Sequence, residues 1–405
     1  MSALKYWIWL TTRGNTPGAY APLLLEYFGS PEAAYAAGEE EYDQISNLPR
    51  AIRDGLCQKS LDGAEKILED CDKMGLRLLT IRDTEYPERL RQISDPPCLL
   101  YVKGRLPRID EEAAIAMVGA RRCTPYGETA AGKLGLQLAR QGALVVSGTA
   151  RGIDIAALTG ALRGGGKVVS VLGNGVDVIY PRNHQSLYED VAAVGALLGE
   201  YPPGTPPEGR HFPVRNRIIS GLSLGVVVVE ADTRSGALIT ARLALDQGRD
   251  VFAVPGNIDA PMSRGTNELI YRGEAKLVRS ADHILEEYRY LYPHRIPTKA
   301  PLPESVVQSR LEREKQPEEA SQAAPSPEEG QTVPAISLAE QPEAFTDDEV
   351  CLLRALDGRS LTPDELAENT GIPVRRVLSA LTMLQVRRMV REEPGKRFAP
   401  LVQLL

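Results

Sequence analysis

The stretch from Arg210 to Glu230 reads RHFPVRNRIISGLSLGVVVVE. Arg210, Arg215 and Arg217 crowd around Phe212 and Asn216. A helix-like segment follows from Ile218 to Leu224, and then a buried-strand run from Gly225 to Val229 that ends in Glu230. Guanidinium groups beside an aromatic ring suit a phosphodiester chain whose bases need a stacking surface. A solvated basic turn has the same composition, so the neighbouring turns decide between the two readings.

Outward from this stretch, short apolar runs alternate with helical segments. The strand candidates are Ala114–Val118, Leu144–Ser147, Val168–Leu172, Ala196–Leu198, Val226–Val229 and Val251–Val254. Each is mostly apolar, as strands buried on both faces are, and most are separated by helix-length segments. The alternation predicts an α/β fold: an extended Rossmann-like, mostly parallel sheet with helices on both sides.

Four glycine-bearing turns follow predicted strands: VGARRCTPYG from Val118, SGTARGID from Ser147, LGNGVD from Leu172 and EADTRSGALITA from Glu230. Glycine after a strand lets the backbone approach a ligand, and the helix that follows presents unpaired N–H groups and the positive end of its dipole. Arg121, Arg122, Arg151 and Arg234 sit inside these loops. Phosphate contact is expected at Gly119 and Gly148, whereas Gly173 and Gly175 fit tight turns equally well. None of the turns is GxGxxG or GxxxxGK[ST], so no NAD or ATP cofactor is expected. The four histidines make no metal spacing, and Ser147 and Ser235 have no histidine base nearby in sequence. Asp154, Asp177, Glu200 and Glu230 lie near strand ends, where hydrogen-bonding the loops or neutralising arginines suits them better than holding magnesium.

The ends of the chain differ in pattern. Residues 1–75 read as a small helical domain of SAM or helix-hairpin type, with Gly14 and Gly18 as candidate hairpin glycines, and residues 76–295 as the Rossmann-like domain. Residues 296–345, rich in Pro, Glu, Gln, Ser and Ala, read as a disordered linker that cannot bury enough apolar area to offset chain entropy. Residues 346–405 read as a winged helix: helices at Asp347–Leu356, from Thr362-Pro363, and at Val374–Met389, then a hairpin from Val390. Arg375 and Arg376 open its third helix, while Glu392 and Glu393 sit at the wing. Such modules bind duplex DNA or proteins, and both readings stay open here.

A chain of 405 residues accommodates two or three domains, and a net charge of −7 argues against a generally basic nucleic-acid coat. It leaves room for a local basic patch. Five scattered cysteines without a CxxC pair suit reduced thiols, and no 18-residue apolar span or signal segment is legible, so the chain is expected in the cytoplasm with no membrane contact.

The order of motifs resembles the DNA-processing protein A (DprA, or Smf) family. The matching residues are YPERL (Tyr86–Leu90), DPPCLLYVKG (Asp95–Gly104), VGARRCTPYG, VVSGTARGID (Val145–Asp154), LGNGVDVIYPRN (Leu172–Asn183), GEYPPG (Gly199–Gly204), FPVRNRIISGLS (Phe212–Ser223), SGALITA (Ser235–Ala241), GRDVFAVPG (Gly248–Gly256) and GTNELI (Gly265–Ile270). The resemblance implies a non-enzymatic protein that binds and protects incoming single-stranded DNA during natural transformation. It also implies a partnership with RecA, which is loaded past single-strand-binding protein, and a homodimer through the Rossmann-like domain. It places strand contacts at Gly119, Ala120, Arg121, Ser147, Gly148, Phe212, Arg215, Asn216, Arg217, Ser235, Gly236 and Thr240. Arg122 and Arg151, beside those glycines, complete the expected set, with Arg375 and Arg376 as winged-helix contacts. Three places depart from the family pattern: Leu158 stands where a histidine is usual, Gly199 precedes Glu200 where a serine is usual, and the GA pair before the last strand is Gly273-Glu274-Ala275. The competing reading is a nucleotide phosphoribohydrolase-like enzyme on a related fold, but its PGGxGTxxE loop has no counterpart here beyond Pro255-Gly256.

Overall fold

The computed structural model describes residues 3–13, 20–296, 335–336, 345–387, 389–393 and 396–404. Contacts divide the chain into two units, 1–301 and 302–405. Gly14 and Gly18, and nearly all of the segment expected to be a linker, lie outside the described residues.

Among the described residues the first unit opens with six helices: α1 (Leu4–Thr11), α2 (Ala21–Phe28), α3 (Pro31–Ala36), α4 (Glu39–Asp43), α5 (Arg50–Cys57) and α6 (Asp62–Lys73). They share a core with the sheet that follows: Trp9, Leu24 and Cys71 belong to the same apolar cluster as Tyr101 and Ile115.

The sheet strands are β1 (Arg77–Thr80), β2 (Leu99–Gly104), β3 (Ala114–Val118), β4 (Leu144–Ser147), β5 (Val168–Leu172), β6 (Ala196–Gly199), β7 (Gly225–Val228), β8 (Asp250–Ala253) and β9 (Lys276–Leu277). They form one nine-stranded sheet in the order β1-β2-β6-β5-β4-β3-β7-β8-β9. From β6 to β9 every pair is parallel, whereas β2 is antiparallel to both β1 and β6. Side chains alternate between faces. Ile115 and Met117 enter one core cluster, and Ala114, Ala116 and Val118 enter the other. The connecting helices are α7 (Glu88–Arg91), α8 (Pro125–Arg140), α9 (Ile153–Arg163), α10 (Gln185–Val194), α11 (His211–Gly221), α12 (Gly236–Asp246), α13 (Arg264–Tyr271) and α14 (Ala281–Leu285).

The topology has one functional consequence. From β3 the chain builds the sheet through β4, β5 and β6 in one direction; β7, β8 and β9 extend it in the other. The loops leaving β3 and β7 therefore part at the carboxyl edge and leave a crevice, the usual ligand position of an open α/β sheet.

One local expectation needs correction. The helix of the Arg210–Glu230 stretch begins at His211, not at Ile218. Pro213 is its third residue, in the first turn, where the missing N–H has no intrahelical partner to lose. The RNR triplet is thus helical. Two positions on a helix turn the side chain by about 200°, so Arg215 and Arg217 point to opposite sides.

In the second unit, α15 (Asp347–Leu356), α16 (Pro363–Thr370) and α17 (Val374–Val386) precede a hairpin of β11 (Val390–Glu393) and β12 (Arg397–Pro400). A short strand β10 (Ala335–Ile336) pairs in parallel with β13 (Gln403–Leu404). Thr346 and Thr362 start α15 and α16 through reciprocal capping boxes with Glu349 and Glu365. This is a winged helix. Its third helix ends at Val386, three residues short of the expected Met389.

Candidate anion-binding cleft at the sheet's switch point

A cleft of about 470 Å³ opens where the β3 and β7 loops part, and α11 closes one side of it. Ten of the expected residues line it: Gly119, Ala120, Arg121, Arg122, Phe212, Arg215, Asn216, Ser235, Gly236 and Thr240. Four do not: Ser147, Gly148, Arg151 and Arg217.

The β3 loop is pinned. Ala120 donates its N–H to the Glu230 carbonyl at 2.8 Å. A side chain at Gly119 would run into Ile153 at the start of α9, its Cβ within 2.5 Å. Glu230, buried, accepts from the Thr124 N–H at 2.8 Å and the Thr124 hydroxyl at 2.6 Å, which fixes the start of α8. Beyond these ties Arg121 and Arg122 are exposed, and among the described residues neither makes an ion pair. Ser235 caps α12 by accepting from the Ala237 N–H at 3.3 Å, so this helix presents its amino end to the cleft. Exposed Arg234 stands beside that end. The lining carries four arginines against two aspartates, an excess of positive charge suited to an anion.

Phe212 stands half-buried at the rim. The Arg121 guanidinium lies 4.6 Å from its ring centroid and that of Arg215 lies 5.8 Å away. Arg215 forms part of the cleft floor and is spent on the fold: its Nη1 donates to the Gly148 carbonyl at 2.8 Å and also to the Val171 carbonyl. This explains Gly148, where a Cβ would stand 2.1 Å from Arg215 Nη1. Gly148 therefore makes room for the guanidinium and does not itself reach the cleft. The Ser147 hydroxyl donates to the Met117 carbonyl at 2.7 Å and is fully buried. Arg151 is exposed but lies outside the cleft lining.

Arg217 departs most from the sequence expectation. Its guanidinium meets buried Glu200 through two bonds of 2.7 and 2.9 Å and Asp95 at 3.0 Å. Burial works against its charge, but Glu200 and then Asp95 outweigh that and raise its pKa. The residue ties α11 to the segments before β2 and after β6, away from the cleft.

Asp154 takes the role expected of it, hydrogen-bonding its loop beside an arginine, whereas the unusual backbone of Thr149 carries no signal in the sequence. Asp154 lies under Arg215 and accepts from the N–H groups of Gly148 at 3.2 Å and Ala150 at 3.3 Å. Burial pushes its carboxyl up to about 6, with Arg215 and those N–H groups opposing. Thr149 between them has a φ of 52°, rare for a β-branched residue and the kind of local strain that collects at binding loops. Leu158, the residue departing from the family histidine, is fully buried in the core.

The Asp154 shift has a definite sign. In the folded state the carboxyl holds its proton up to about pH 6, against an ordinary 3.8. The folded form therefore binds more protons between those values, and stability falls as pH rises through that window. Asp154→Asn removes the titration. Its stability relative to the unsubstituted protein should rise from pH 4 to pH 6 and level off above that. Urea midpoints across this range check it; parallel pH profiles would show that Asp154 does not titrate there.

In the winged helix, Arg375 is exposed, whereas Arg376 is paired with Asp348 through bonds of 2.7 and 2.9 Å. Arg397 and Arg391 are paired with Glu365 and Glu393.

Sheet and cleft define an α/β protein with an arginine-lined crevice at its switch point and an aromatic ring on the rim. Comparison with known proteins narrows this class. A family model described as DNA recombination-mediator protein A matches residues 77–289, and one described as DprA winged helix domain matches residues 316–396. Protein Smf of Synechocystis sp. is 32% identical over 410 residues, covering 98% of this chain and 98% of that protein. DNA processing protein DprA of Streptococcus pneumoniae is 44% identical over 211 residues, 52% of this chain and 74% of that protein. The X-ray structure of DprA from Streptococcus pneumoniae matches with a TM-score of 0.62 at 35% identity, covering 71% of this chain and 99% of that one. The chain belongs to the DNA processing protein A (DprA/Smf) family. Among the described residues no helix is long and apolar enough to cross a membrane.

Proposed function

We propose that this chain binds single-stranded DNA in the switch-point cleft and acts as a recombination mediator that protects incoming DNA and loads RecA during natural transformation. The observation that carries the reading is the grouping of Arg121, Arg122 and Arg234 with the Phe212 ring around the amino end of α12. Cations and helix ends suit phosphates. An aromatic ring suits a base whose face is exposed, as in a single strand and not inside a duplex. The description of the family as a recombination mediator supports RecA, and with it single-strand-binding protein, as partners on the same strand. A homodimer through the sheet domain belongs to this proposal. The chemistry asks of the protein only binding and shielding, with no catalytic group, metal or nucleotide.

The test is binding of single- and double-stranded oligonucleotides with and without residues 346–405, together with stimulation of RecA filament formation. Because the winged-helix arginines other than Arg375 named above are paired with carboxylates, the truncated chain should keep its single-strand affinity and part of the RecA stimulation. Abolished strand binding in a folded truncated protein would place the DNA site in the winged helix. Incubation with AMP should release no base; turnover would favour the phosphoribohydrolase reading.

A further inference from the structure

We propose that Tyr180 is a second stacking platform on the strand's path, taking the base next to the one held at Phe212. This rests on the single-strand reading above.

After β5 the chain runs through a loop that is fixed along its length. Asn174 Nδ2 donates to the Val178 carbonyl at 2.7 Å, and the Asp177 carboxylate accepts from the Gly204 N–H at 2.9 and 3.0 Å. At the loop's end the Tyr188 hydroxyl of α10 clamps the backbone of Tyr180 on both sides. It donates to the Tyr180 carbonyl at 2.9 Å and accepts from the Tyr180 N–H at 3.2 Å. The Tyr180 side chain takes no part in this: the residue is 37% exposed, and among the described residues its hydroxyl makes no hydrogen bond. A ring on a rigid mount loses little freedom when a base covers it, which is what a stacking surface requires.

Its position completes the argument. The Tyr180 and Phe212 centroids are 5.7 Å apart with the rings inclined at 35°. Phe212 is already attended by two guanidinium groups, whereas no cation lies over Tyr180 among the described residues. The two rings form a shallow step: Phe212 at the cleft rim beside Arg121, and Tyr180 beyond it as the uncovered face. Successive bases of a single strand stack on neighbouring aromatic rings in this manner without reading sequence.

The experiment compares two probes with the full-length protein: an oligothymidylate, and a chain of the same length that carries the sugar-phosphate backbone without bases. Tyr180→Leu should weaken binding of the oligothymidylate roughly tenfold. Its affinity for the base-less chain, its salt dependence and its melting temperature should stay close to those of the unsubstituted protein, because no charge and no hydrogen bond is lost. Phe212→Leu should show the same selective loss. Tyr180→Leu binding both probes as the unsubstituted protein does, or losing both equally, would overturn the platform. If the unsubstituted protein fails to bind either probe, the single-strand reading itself is what fails.

Discussion

Replacing Arg217 by alanine is expected to destabilise the fold by about 3–5 kcal/mol, the cost of leaving a buried charge unpaired. Glu200 is 5% exposed, and its carboxylate accepts both short bonds from Arg217. Without the guanidinium it stays buried at the end of β6 without an ion-pair partner and with the Asp95 carboxylate nearby. For a unit of this size the loss corresponds to a fall in melting temperature on the order of 10 °C. Arg217→Met combined with Glu200→Leu should recover much of it, since a well-packed apolar pair often matches a buried ion pair. Calorimetry on the three proteins checks this. The competing outcome is specific as well: an Arg217→Ala protein as stable as the unsubstituted one, with weakened strand binding and a shallower salt slope, would make Arg217 a phosphate ligand after all.

Why Arg217 misleads a reader of the sequence is physical. Three arginines around a proline and a phenylalanine have the composition of a solvated turn, and charge is ordinarily exposed. What buries this one is a pair of carboxylates that arrive from elsewhere: Asp95, 122 residues away, and Glu200, 17 residues away. Neither separation carries a local signal. The parallel strands are legible because burial on both faces writes a local signal. Ala114–Val118, Leu144–Ser147 and Val168–Leu172 match the expected limits residue for residue, β6 runs one residue further than expected, and β7 and β8 are each displaced by one residue. The expectation omitted β1, β2 and β9. The first two are antiparallel additions on one side of the sheet and need no crossover helix to announce them, and β9 is only two residues long with both side chains exposed. Within the cleft, the glycine-after-strand pattern locates the β3 and β7 loops. It cannot tell a glycine that opens a ligand site from Gly148, which makes room for Arg215. Tyr180 is beyond such reading because its role depends on a clamp from α10.

Arg121→Ala is expected to weaken single-strand binding roughly tenfold or more, the loss of one charge-assisted hydrogen bond to a phosphate. The log–log salt slope should become shallower by about 0.7, the value of one phosphate neutralised on a single strand. Arg121 differs from Arg217 in each property that matters. It is exposed, it has no ion pair among the described residues, and it follows Gly119 and Ala120, whose backbone is pinned to Glu230 and α9. Its removal costs the fold nothing beyond a cation–π contact with Phe212 at 4.6 Å, about 0.5–1 kcal/mol at an exposed site. Arg121→Lys separates the two parts of its role. A lysine keeps the charge and so the slope, but gives up the planar, multidentate grip, so affinity should fall between those of the other two proteins. Anisotropy titrations of a labelled oligothymidylate at several salt concentrations measure both quantities together. Should Arg121→Ala lose affinity with an unchanged slope, Arg121 acts by holding the Phe212 ring in place, and the phosphate must be sought at Arg122 or Arg234.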